Sequence, residues 1–72
     1  MIKADMTKPV ELCLEIERET DAALLLTDGT KESQWVPKSQ LDCENYKIND
    51  LTAGDTEVFW MPEWLATKKG FI

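Results

Sequence analysis

The chain has 72 residues with 14 acidic and 8 basic side chains and no histidine, for a net charge of −6. So short a chain is read as one small domain, 1-72, with a small core, because it buries only about 60% of the surface its unfolded form exposes. The acidic balance disfavours a surface that grips phosphates, and the missing histidine removes the commonest general base and metal ligand.

In chain order, residues 1-8 carry Lys3, Asp5 and Lys8 and no apolar stretch of signal-peptide length, so they read as a flexible N-terminus without a secretory signal. The longest apolar run, Ala22 to Leu26, falls far below the roughly 20 residues of a membrane span. A cytoplasmic protein without membrane contact is expected. From Val10 the apolar residues Val10, Leu12, Leu14 and Ile16 alternate with Glu11, Cys13, Glu15 and Glu17, and this period of two predicts a half-buried strand. Ala22 to Thr27 reads as a second strand, closed by Asp28-Gly29, a pair that favours a hairpin because both residues tolerate positive φ. A third strand is expected over Glu32 to Val36, stopped by Pro37, with a bend at Lys38-Ser39-Gln40.

Leu41 and Cys43 share one parity and Tyr46 and Ile48 the other, which predicts a bulge or tight turn near Glu44-Asn45. Asn49 to Asp55 reads as a loop and Glu57 to Trp60 as the last strand. A short helix is expected over Pro62 to Lys69. Pro62 and Glu63 suit its first turn, Lys68 and Lys69 suit its last, and Gly70 serves as a left-handed stop, with Phe71 packing back on the last turn. Short strands and tight turns predict a mainly β fold: a small five-stranded SH3-like or OB-like barrel with one short C-terminal helix closing an open end. A two-layer α+β sandwich is the alternative.

Catalysis has little support. The three glycines sit at turn or helix-stop positions rather than in a phosphate loop, and acidic pairs arise by chance when so many carboxylates share a small surface. Cys13 and Cys43, a lone pair without a secretory signal, read as reduced thiols, and neither zinc nor any other cofactor is expected. A non-enzymatic binding protein is the better reading.

Two surfaces stand out. Glu11, Glu15 and Glu17 share the outward parity of the first strand, and Glu19 and Asp21 continue the series. Alternate residues on a strand lie about 6.6 to 6.8 Å apart, close to two phosphate steps of about 3.4 Å along a nucleic-acid strand. An acidic row of this kind mimics nucleic acid, or else keeps a strand solvated and unpaired. Phe59 and Trp60, being adjacent, must face opposite sides. Trp60 or Trp64 is expected to be the less buried tryptophan and to serve as an interface anchor, whereas Trp35 is expected to pack inward.

The stretches Ala23-Leu24-Leu25-Leu26 with Asp28-Gly29, Trp35-Val36-Pro37-Lys38-Ser39-Gln40-Leu41, and Pro62-Glu63-Trp64-Leu65-Ala66-Thr67-Lys68-Lys69-Gly70 together resemble a group of small uncharacterised phage and mobile-element proteins. These share a Trp-x-Pro-Lys-Ser-Gln motif and a C-terminal Trp-Leu-Ala helix. The resemblance implies a bacterial host cytosol as the setting, and small acidic proteins of that setting include anti-CRISPR and other inhibitors of host defence. The chain is therefore expected to bind and modulate a host protein, such as a basic nucleic-acid-binding complex, through Glu11, Glu15, Glu17, Glu19, Asp21, Trp60 and Trp64. Two alternatives stand beside this. One is a nucleic-acid accessory module of phage replication or recombination, using Lys31, Lys38 and Lys47 with Trp35 as a stacking face. The other is a homo-oligomeric domain that buries Trp60 or Trp64 against a copy of itself.

Overall fold

The alternating segment forms one long strand, β1, Pro9–Glu19, with Leu14 and Ile16 fully buried and the intervening glutamates exposed. The computed structural model describes residues 9–30 and 32–72. The expectation for 1-8 and that for Lys31 therefore lie outside the described residues.

A tight turn follows β1. The Thr20 hydroxyl accepts the Ala23 N–H at 3.0 Å and lies 3.2 Å from the Ala23 carbonyl, while the Thr20 N–H donates to that carbonyl at 2.9 Å. These bonds start β2, Ala23–Thr27, whose Leu24 and Leu26 are buried. Asp28-Gly29 does open the turn into β3, with Gly29 at φ +86°. The connection nevertheless runs through residue 33, and β3 spans Gln34–Pro37 instead of starting at Glu32. The delay has a local cause: Asp28 Oδ1 accepts from the Thr30 N–H and hydroxyl, and Thr27 Oγ1 accepts from the Gly29 N–H, which coils the loop before pairing resumes.

Pro37 closes β3 from inside the strand, paired with Ala23. The Lys38 N–H donates to the Ala22 carbonyl at 2.8 Å, so by the alternation of an antiparallel ladder Val36 and Gln34 also face β2, whereas Trp35 and Pro37 face outward. The N–H that proline lacks would have pointed to solvent, which is why the strand tolerates it.

A 3₁₀ turn at Lys38–Gln40 leads to β4, Asp42–Cys43, and a bend at residues 44–46 absorbs the expected change of parity. Tyr46 stays exposed, Ile48 is half-buried in a second 3₁₀ turn, Ile48–Asp50, and Leu51 is buried. β5, Thr56–Pro62, runs directly into α1, Glu63–Lys68. The helix ends as the sequence predicts: the Phe71 N–H bonds the Ala66 carbonyl at 2.9 Å, the Gly70 N–H bonds that of Thr67 at 3.1 Å, and Gly70 takes φ +83°. This pair of hydrogen bonds around a left-handed glycine satisfies carbonyls the helix leaves open.

The protein is mainly β, with five antiparallel strands in one sheet of order β3-β2-β1-β5-β4 and a short C-terminal helix. Laid flat, that order would separate β3 from β4 by about 19 Å. The connection of residues 38–41 begins with a 3₁₀ turn that rises only about 2 Å per residue, so the sheet must curl its two edges together. Among the described residues the ladder stays open between β3 and β4. Inside the curl, Leu14, Ile16, Leu24, Leu26, Val36, Phe59 and Met61 meet Leu65 and Ala66 of α1.

Candidate functional site

The outward face is organised by register. Glu11 of β1 lies opposite Trp60 of β5, and Trp60 lies opposite Asp42 of β4. Directly opposed residues hold their Cβ atoms about 4.5 to 5.5 Å apart, so one indole is flanked by a carboxylate on either side. A third joins them, because Trp60 Nε1 donates to Glu44 Oε1 at 3.0 Å. This bond fixes the ring while leaving Trp60 part-exposed, and Phe59 beside it is fully buried on the other face. Further along the same face Cys13 opposes Val58, and Glu15 opposes Thr56 on one side and Thr27 on the other.

Beyond Glu15 the acidic row changes. The β1–β2 register slips between Ile16 and Arg18, so two residues of β1 oppose one step of β2 and Glu17 sits in a bulge. The Ser33 hydroxyl donates to the Glu17 carboxylate. Past the bulge the parity is reversed. Arg18 pairs with Leu25, itself paired with Trp35, and takes the outward side, while Glu19 pairs with the fully buried Leu24 and falls on the other parity. Asp21 lies in the Thr20–Ala23 turn, beside a shallow open depression that it shares with Lys38 and Asn49. The structure thus sets Glu11 beside Trp60, places Glu15 farther along the same face with Glu17 in the bulge beyond it, and brings Glu19 and Asp21 together at a separate depression with Lys38.

Trp64, in the first turn of α1, is 52% exposed. Trp35 is 43% exposed, against the expectation that it packs inward. Adjacent strand residues cannot both face the core, and pairing with Leu24 gives the inward place to Val36. Lys38 Nζ reaches Asn49 Oδ1 at 3.5 Å, and Lys47 is exposed just before the second 3₁₀ turn. The carboxylates that sequence reasoning missed, Asp42 and Glu44, come from a strand of two residues and the bend after it, where no periodicity could place them.

Comparison with known proteins finds no match to this chain among family models, curated proteins or solved structures. The site must be read from its own chemistry. Among the described residues no three Cys, Asp or Glu side chains gather to hold a metal ion, and no helix is long and apolar enough to cross a membrane. The arrangement can receive a cation: an indole with carboxylates on the strands to either side suits a guanidinium or ammonium group, which gains from the ring quadrupole and from a charge-assisted hydrogen bond.

Proposed function

We propose that this chain is a non-enzymatic binding protein that holds a basic segment of another protein against the outward face of β1 and β5. The observation that carries the reading is the row Glu11–Trp60–Asp42, with Glu44 bonded to the indole. Trp60 supplies apolar contact at the centre, and the carboxylates around it favour Lys or Arg over any acidic partner. A cation over an indole contributes about 0.5 to 2 kcal/mol, depending on how far it is desolvated. The net charge of −6 acts mainly by steering a basic partner to the surface and disfavouring others. The phage-like motif around Trp35 and Pro37 supports a host protein as the target, with modulation or inhibition in the manner of anti-defence proteins as the outcome.

The test is affinity capture from a bacterial lysate with the tagged parent and with Glu11→Gln/Glu15→Gln, followed by mass spectrometry. A basic protein or complex recovered by the parent, lost from the variant, and released as salt rises past about 0.5 M, where the screening length drops to a few ångströms, is the expected result. Identical capture by both proteins would overturn the reading.

A further inference from the structure

β1 is longer than the strand beside it. β5 pairs with it from Pro9 to Glu15, whereas β2 pairs with it only from Glu15 to Glu19. The Ile16 N–H donates to the Asp55 carbonyl and the Ile16 carbonyl accepts from the Gly54 N–H, both at 2.8 Å, so the Ile16 backbone faces the β5 side. Because an antiparallel ladder alternates, Leu14, Leu12 and Val10 face β5 as well. Glu11 and Cys13 then aim their N–H and C=O groups the opposite way, past the end of β2. The chain has left that line: it turns at Gly29, and among the described residues no turn or loop backbone bonds to Glu11 or Cys13.

We propose that this open edge of β1 takes up an extended segment of the partner as an added strand, collinear with β2, in which Lys or Arg alternates with apolar residues. The proposal rests on the reading of the acidic face as a protein-binding surface and adds how the partner is held. Main-chain bonds to Glu11 and Cys13 supply the grip, and alternate side chains supply selectivity. Outward positions of the added strand stand beside Glu11 and Cys13, with the Glu15 carboxylate next along the same face where β2 begins opposite Thr27. Inward positions stand beside Val10 and Leu12, which are only partly buried and pack on the edge of the core. The same charges disfavour a second copy, since registers that set Glu11 opposite Glu11 or Glu15 bring like charges together. The other edges are poorer hosts: β3 carries Pro37 at an outward position, and β4 has two residues.

The experiment uses a blocked six-residue peptide alternating Lys and Val, an isomer with the three Lys and three Val in separate blocks, and the alternating peptide N-methylated along one edge. Binding to the isotopically labelled protein is followed by amide chemical shifts and amide hydrogen exchange. The alternating peptide is expected to bind and to slow exchange at Glu11 and Cys13 by an order of magnitude or more, while the other two bind at least tenfold more weakly. Cys13→Pro, which deletes an edge N–H and no carboxylate, is expected to lose the same tenfold. Should that variant not fold, the N-methylated peptide makes the equivalent deletion from the ligand side. Equal binding of all three peptides, unchanged exchange at Glu11 and Cys13 on saturation, or no binding at millimolar peptide would each overturn strand addition. Lysate capture that depends on Glu11 and Glu15, together with any of those results, leaves the acidic surface standing and removes only the added strand. Capture that ignores the glutamates removes the broader reading.

Discussion

Glu11 and Trp60 stand directly across the β1–β5 ladder on the outward face, and the Trp60 indole N–H is held by Glu44 at 3.0 Å. Trp60 is therefore a fixed side chain with charged neighbours, while Trp64 is the more exposed tryptophan and lies on a short helix. Alanine at Trp64 should change stability by no more than about 0.5 kcal/mol, as for most surface positions. Trp60→Ala should lower affinity for a basic partner by roughly tenfold or more, the size of loss that marks an interface anchor. Calorimetric binding of a basic peptide, with thermal melts of both variants, checks the pair. Equal losses of affinity at the two positions would show that the row around Trp60 is not the centre of the surface.

Cys13 and Cys43 sit on opposite faces of the sheet. Cys13 opposes Val58 on the outward side, whereas Cys43 opposes Phe59 and is buried. They cannot bridge, because the sheet itself lies between them. A thiol reagent should titrate Cys13 quickly in the native protein and Cys43 only after unfolding, so Cys13→Ser should abolish the fast phase. Two fast thiols in the native protein would place Cys43 outside the core.

Much of this architecture is legible in the residues. The alternation through β1 sets the buried and exposed sides correctly from Val10 to Ile16, and Gly70 with Phe71 marks the helix stop at the positions where the bonds form. What escapes is set by pairing. The sequence continues its alternation through Glu17, and only the two-against-one count opposite β2 reveals the bulge that sends Glu19 to the other parity. Trp35 and Val36 are equally plausible core residues by composition, and the register with Leu24 decides between them. Asp42 and Glu44 reach Trp60 through a strand too short to have a period.

Gly70 holds φ +83° at the end of α1, a conformation that a Cβ disfavours. Gly70→Ala should cost about 1 to 2 kcal/mol. In a domain of this size each kcal/mol lowers the melting temperature by roughly 4 to 8 °C. Thermal unfolding by circular dichroism measures it. A melting temperature equal to the parent's would mean that the helix ends without the left-handed residue.

Pro37 is the last residue of β3, on an edge strand next to the half-exposed Trp35. Its ring fixes φ at −62°, a value that other residues adopt without strain, so Pro37→Val should fold with a loss of only about 0.4 to 1 kcal/mol from the freer unfolded chain. The substitution also restores an outward N–H beside an exposed indole. An edge strand with an unbroken row of donors and acceptors is a template for pairing with another copy. The variant should therefore gain concentration-dependent mass in light scattering while the parent does not, and Pro37→Val combined with Trp35→Lys should return to the parent's behaviour because the inserted charge repels a second edge. If Pro37→Val scatters as the parent does at every concentration, the proline serves the turn into Lys38–Gln40 rather than protection of the edge.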